Sequence, residues 1–186
     1  MAVKKRFPYQ AALVACNGGC RATAACEYGC VACGLCVGVC KFDAIEINGL
    51  GVAQVNEDKC IACGACVREC PRELIHIHEC ANPIVVKCSN KDLGKNARKY
   101  CEVSCIGCGL CEKECKKDAI HVVNGVAVID YDKCVGCKLC TKVCPRDAIL
   151  PKATAEEKEK YKAIKKAQAE KAAAAKKAAE EAAPQA

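Results

Sequence analysis

Two stretches of the chain alternate apolar and polar residues around an Asn-Gly pair, "DAIEINGLGVAQV" at 43–55 and "DAIHVVNGVAVI" at 118–129. Asn-Gly flanked by such alternation is the strongest short-range hairpin signal. Each stretch predicts a helix end, a strand, a turn and a second strand, with the turns at Asn48-Gly49 and Asn124-Gly125. "ELIHIHEC" at 73–80 also alternates, which predicts a strand with His76 and His78 exposed on one face. His121 is expected to be exposed in the second hairpin. "ALVAC" ending at Cys16 and "IVVKC" ending at Cys88 parallel one another as short apolar approaches to a cysteine. From Pro151 the pattern loses its apolar face and becomes Ala, Lys and Glu up to Pro184. "TAEE" at 154–157 fits a capping box, with Thr154 as N-cap and Glu157 three residues on, so a solvated charged helix is expected there.

Aliphatic residues alone cannot hold this chain together. Leu, Ile, Val and Phe make up about 20% of it and Trp is absent, a level near which packed cores fail. Cysteine supplies the difference, with 22 among 186 residues. In a short secreted protein that density would suggest disulfides. The N-terminal apolar run, however, is short and interrupted by Pro8, Tyr9 and Gln10, which argues against a signal peptide. No apolar run is long enough for a membrane span. The expected location is the reducing cytoplasm, free or peripheral on the cytoplasmic face of a membrane, where such cysteines bind metal.

Sixteen of the cysteines form four runs of one spacing, C-x2-C-x2-C-x3-C. The runs are Cys30-Cys33-Cys36-Cys40, Cys60-Cys63-Cys66-Cys70, Cys105-Cys108-Cys111-Cys115 and Cys134-Cys137-Cys140-Cys144. Three cysteines two residues apart wrap a tight loop around one [4Fe–4S] cubane. The fourth lies beyond the loop and, as in two-cluster ferredoxins, completes the partner cluster. The expected sets are therefore Cys30, Cys33, Cys36 with Cys70; Cys60, Cys63, Cys66 with Cys40; Cys105, Cys108, Cys111 with Cys144; and Cys134, Cys137, Cys140 with Cys115. Gly and Ala between the cysteines let the backbone approach the cluster closely. The formal charge of +7 belongs to the metal-free chain. Four clusters at about −2 each bring it close to neutral, so the basic balance does not point to nucleic acid.

The halves repeat. Cys30 matches Cys105 and Cys60 matches Cys134, at offsets of 75 and 74 residues. The match starts upstream of the runs, pairing Cys26 with Cys101 and Cys16 with Cys88, while Cys20 and Cys80 have no counterpart. These six have no run with ligand spacing. They are read as buried small hydrophobes, with Cys26 and Cys101 beside the first cluster of each half. A fifth cluster is possible in principle, since four of Cys16, Cys20, Cys26, Cys80, Cys88 and Cys101 would suffice, but it is not expected. Tyr28, Tyr100 and Tyr131 are read as shields that keep water from the clusters.

The reading is an α+β chain of two tandem two-cluster domains. Residues 1–25 form an extension with a short strand, 26–78 the first domain, 79–100 a connection, 101–150 the second domain and 151–186 the helical tail. No nucleotide-binding glycine motif and no catalytic constellation is present; "NGLGVA" at 48–53 is a turn rather than a dinucleotide fingerprint. Chemistry on a substrate therefore belongs to a partner, and the chain is an electron carrier. A zinc-binding structural module is the alternative from another class. The three evenly spaced cysteines of each run, and the scarcity of aromatic residues for base stacking, speak against it.

From Val14 to Ile149 the chain resembles the C-terminal polyferredoxin region of the B subunit of the Rnf complex. "VACNGGC", "CEYGCVACGLCVGVCKFDAI", "VVKCSNKDLGKNARKYCEVSCIGCGLCEKEC" and "DYDKCVGCKLCTKVCPRDAI" carry the resemblance. It implies electron transfer between ferredoxin and NAD in an ion-translocating membrane assembly. A soluble ferredoxin or flavodoxin would be the donor, and flavin or iron–sulfur subunits the partners. The family's membrane helix and further iron–sulfur domain are not in this sequence, which reads as a standalone relative, a split subunit or a fragment. A freestanding polyferredoxin, or the electron-input subunit of a soluble oxidoreductase, is the second reading.

Overall fold

The computed structural model describes residues 9–170 apart from 19, 21–24, 82–83, 93, 152–153, 155, 165 and 169. The chain divides into two compact units, residues 1–152 and 153–186.

The first unit runs through one set of elements twice. The first pass is β1 (Gln10–Val14), α1 (Leu35–Gly38), β2 (Ile45–Ile47), β3 (Ala53–Val55), α2 (Ala65–Glu69) and β4 (Ile75–Glu79). The second is β5 (Val85–Val86), an added helix α3 (Gly94–Tyr100), α4 (Leu110–Glu114), β6 (Ile120–Val123), β7 (Val126–Ile129), α5 (Leu139–Val143) and β8 (Ile149–Leu150). All sheets are antiparallel pairs: β1 with β4, β2 with β3, β5 with β8, and β6 with β7. In each half the strand before the cysteine runs closes against the strand after them. Two isolated bridges then join the halves main chain to main chain, Cys16 to Cys88 and Cys20 to Cys101.

The two hairpins differ. Val123 pairs with Val126, leaving Asn124 (φ 50°) and Gly125 (φ 81°) as a two-residue turn. Both in the left-handed region, they match the twist of the strands. In the first hairpin Ile47 pairs with Ala53, so residues 48–52 form the loop and Asn48-Gly49 is not a two-residue turn. Asn48 holds this longer loop from its side chain, its Oδ1 accepting from Leu50 N at 3.0 Å and Val52 N at 3.2 Å.

The cores are small. In the first half Ala11, Ala12, Val14, Ala44, Ile45, Leu74 and Ile75 pack with Cys36, Cys60 and Cys66. In the second, Ile84, Ile120, Ala127 and Ile149 pack with Cys111. Half-buried cysteines surround both. On β4, His76 is exposed, but the His78 side chain is only 9% exposed, with Nε2 3.9 Å from Glu57 Oε1. Alternation does not hold along the strand: Ile75 is buried, but Ile77, expected beside it on the inner face, is exposed, while His78 on the other face is largely covered.

The second unit begins with the capping box. Glu157 N donates to Thr154 Oγ1 at 3.1 Å and Thr154 N to Glu157 Oε2 at 2.8 Å. A helix follows over 156–164. The continuation expected to Pro184 lies outside the described residues from 171 onward.

Candidate metal centres

Every cysteine run folds in the same way. The residue before the second cysteine is left-handed in all four: Ala32 (φ 55°), Ala62 (56°), Gly107 (61°) and Gly136 (67°). So is the residue after it: Gly34 (77°), Gly64 (74°), Gly109 (70°) and Lys138 (59°). Two such residues flanking the second cysteine curl the loop into a cup, and a short helix starts at once: α1, α2, α4 or α5. The third cysteine lies in the first turn of that helix and the fourth just past its end. Gly107 has a second constraint. A Cβ there would meet Gly125 O at 3.0 Å, so the third loop and the tight hairpin turn press backbone on backbone.

The sequence sets converge in space. Cys30, Cys33, Cys36 and Cys70 line one cavity of about 390 Å3. Cys60, Cys63, Cys66 and Cys40 line a second of about 330 Å3. Cys134, Cys137, Cys140 and Cys115 line a third of about 370 Å3. Cys111 lies near Cys105, Cys108 and Cys144, whose charges add to the burial that pushes its thiol up to about 12. Burial, reinforced by neighbouring cysteines, likewise lifts Cys66 and Cys140 to about 11 and raises Cys36. The second cysteine of each run, Cys33, Cys63, Cys108 or Cys137, is exposed. Each cup therefore has one edge toward solvent.

Backbone N–H groups point at the sulfurs. Beyond the fourth cysteine, Ala44 N donates to Cys40 Sγ at 3.4 Å, Leu74 N to Cys70 Sγ at 3.5 Å and Ala119 N to Cys115 Sγ at 3.3 Å. Strand β1 also contributes, with Ala12 N donating to Cys60 Sγ at 3.3 Å. Such donors stabilise thiolate and added electrons, and are a means by which a protein tunes iron–sulfur centres. A single zinc ion would draw its sulfurs to within about 3.8 Å of one another, given its bond length of about 2.3 Å. Open cups lined by four thiols suit a larger inorganic body.

Five of the six further cysteines share a place that sequence spacing did not reveal. Cys16, Cys20, Cys26, Cys88 and Cys101 line one cavity of about 290 Å3 between the two bridges that join the halves. Cys26 and Cys101 thus meet at a common site, each four residues before the first cysteine of its half's first run. Cys80 packs against the core of the first half. Tyr28 lines the shared cavity, Tyr131 stands near Cys134, and the Tyr100 hydroxyl bonds to the Asp92 carboxylate.

Four overlapping stretches match families described as 4Fe–4S dicluster domains: residues 29–74, 59–119, 100–150 and 126–180. The chain carries tandem stretches of 4Fe–4S dicluster type. Two of the matches, 29–74 and 100–150, do not overlap and together account for four [4Fe–4S] clusters. Over 108 residues, 58% of this chain, it is 44% identical to the B subunit of the Na+-translocating ferredoxin:NAD+ oxidoreductase complex of Acetobacterium woodii. Over 106 residues, 57% of the chain, it is 46% identical to the B subunit of the proton-translocating ferredoxin:NAD+ oxidoreductase complex of Clostridium ljungdahlii. These matches agree, over the stretch they cover, with the resemblance carried by the cysteine runs. The matched stretches cover 32% and 37% of those two proteins. A formate dehydrogenase–heterodisulfide reductase–formylmethanofuran dehydrogenase complex from Methanospirillum hungatei overlaps 64% of this chain and 51% of its own at 21% identity. The TM-score of that overlap is 0.25.

Proposed function

We propose that the chain relays single electrons through four [4Fe–4S] centres as part of an Rnf-type ferredoxin:NAD+ oxidoreductase. Cys30, Cys33, Cys36 and Cys70 would hold the first and Cys60, Cys63, Cys66 and Cys40 the second. Cys105, Cys108, Cys111 and Cys144 would hold the third, and Cys134, Cys137, Cys140 and Cys115 the fourth. The observation that carries this reading is the exchange of fourth cysteines: Cys70 completes the ring of the first run and Cys40 that of the second.

The clusters supply the one-electron chemistry, and the protein holds, insulates and tunes them. The cysteine cups bind. The backbone donors at Ala12, Ala44, Leu74 and Ala119 stabilise charge on sulfur. The small cores exclude water from the inner faces, while the exposed second cysteines give each centre an edge toward a partner. A soluble ferredoxin or flavodoxin fits as donor and a flavin or iron–sulfur protein as acceptor. Among the described residues no helix is long and apolar enough to cross a membrane, and the proposed place is peripheral, on the cytoplasmic face.

Anaerobic purification tests the reading. The expected preparation is brown, holds at least about sixteen irons and sixteen sulfides per chain, and is reduced by reduced ferredoxin. A colourless zinc-loaded protein would overturn it. Co-purification with membrane subunits and a flavoprotein supports the Rnf assignment, and isolation alone at every salt concentration favours a freestanding polyferredoxin.

A further inference from the structure

We propose that the junction of the two halves holds a fifth [4Fe–4S] centre, ligated by Cys16, Cys26, Cys88 and Cys101. The proposal rests on the iron–sulfur reading above and extends it to a site the cysteine runs do not encode. These four cysteines form two repeat-related pairs, Cys16 with Cys88 and Cys26 with Cys101. Each half brings one cysteine from just after its first strand and one from just before its first run. The cavity they line, at about 290 Å3, approaches the 330–390 Å3 of the cups around the ferredoxin-type runs. Ligands drawn from four chain segments leave no spacing signature, which is why the sequence hides the site.

The cavity has the furnishings of the other cups. Cys105 N donates to Cys88 Sγ at 3.2 Å, as Ala119 N does to Cys115. Backbone groups at Tyr28 and Asn90 bond to the sulfurs of Cys26 and Cys88. Asn90, only 1% exposed, lines the cavity, and its Nδ2 has no hydrogen-bond partner. A buried amide donor without an acceptor is costly, and a cluster sulfide or thiolate would satisfy it. Two arginines bring positive charge to the loops on either side. The Arg72 guanidinium bonds to Glu27 O and the Arg146 guanidinium to Cys101 O, while Arg146 Nε is buried without a partner. Charge of that sign offsets the net negative charge of a four-thiolate cluster. Cys101 Sγ donates to Gly18 O at 3.6 Å, a contact that a ligating thiolate would give up. Cys20, hydrogen-bonded to Cys101 and without a repeat counterpart, is the fifth thiol and not a ligand.

Position gives the site its role. Cys26 stands four residues before Cys30, the first ligand of the first centre, and Cys101 four before Cys105, the first ligand of the third. Four residues of chain reach at most about 14 Å. A centre here would take one electron from a centre of one half and pass one to the other, joining two dicluster domains into one conduit with no bond made or proton moved.

Iron and acid-labile sulfide counted on the wild-type chain, which needs no variant, should come to about twenty each per chain and not sixteen. Cys26→Ser and Cys88→Ser should each lose about four irons and one set of EPR signals, with the remaining signals unchanged. Cys20→Ser and Cys80→Ser should keep the full count. Asn90→Leu should keep the iron and lower one potential. About sixteen irons in the wild type with no loss on Cys26→Ser or Cys88→Ser would overturn the fifth centre while leaving the four-centre reading intact. So would a disulfide between any two of the five cysteines in the iron-loaded chain. Loss of all iron signals from the wild type would instead overturn the underlying reading.

Discussion

Cys40 and Cys70 are exchanged: each ends a run of its own and lines the cavity ringed by the other run's first three cysteines. The short helices α1 and α2 produce the crossing, because each carries its fourth cysteine away from its own loop. Cys70→Ser should therefore damage the centre of Cys30, Cys33 and Cys36. The chain should lose up to about four irons, and the EPR signal that disappears should be the one removed by Cys30→Ser. Loss of the signal removed by Cys63→Ser would show that Cys70 serves its own run.

Strain in the loops makes opposite forecasts at two positions. Gly107→Ala puts a Cβ 3.0 Å from Gly125 O on a left-handed residue and should cost about 1–3 kcal/mol. Lys138 already carries a side chain at φ 59°. Lys138→Gly should relieve that strain and stabilise by up to about 1 kcal/mol. Heating under argon while following cluster absorbance reads both, as a lower midpoint for the first and an equal or higher one for the second. A lower midpoint for Lys138→Gly would mean its side chain makes contacts worth more than the strain.

The repeat was legible because cysteine spacing and hairpin alternation are both local. The Asn124-Gly125 turn followed for the same reason, since two residues with positive φ between apolar strands admit one geometry. Asn48 escaped because the same dipeptide can open a longer loop, and nothing nearby distinguishes the two until Val52 pairs back to Asn48 N. His78 escaped because alternation tells which residues share a face but not what covers it. The five-cysteine cavity was invisible for a deeper reason. Its residues meet only through the pairing of Cys16 with Cys88 and Cys20 with Cys101, long-range contacts that no sequence period records.

His121 provides a pH test at a side chain that is not itself a cysteine ligand. Its Nδ1 lies 3.1 Å from Glu112 Oε1 and its Nε2 3.1 Å from Asp118 O. The bond to Glu112 is the main cause that raises its pKa above the ordinary 6.5. A group whose folded value is raised contributes stability that is complete below the unfolded value and is lost as pH rises through the folded one. An NMR titration should therefore place the midpoint above 6.5. Glu112→Gln should bring it back down and abolish the extra stability seen at mildly acid pH. An unchanged midpoint in Glu112→Gln would assign the shift to Asp118 instead.

The capping box gives the charged tail a defined start, and removing it should act there alone. Thr154 and Glu157 exchange side-chain to backbone bonds at 3.1 and 2.8 Å, which satisfies two donors at the helix start that would otherwise be left to water. The helix over 156–164 is mostly exposed and so has little buried surface to hold it without the cap. Thr154→Ala should cost about 1 kcal/mol of helix stability, read as faster amide exchange over 157–162, with iron content unchanged. Thr154→Asp, which can still accept from Glu157 N, should exchange close to the wild-type rate. Equal exchange in Thr154→Ala and the wild type would mean that the tail helix is held by something other than its cap.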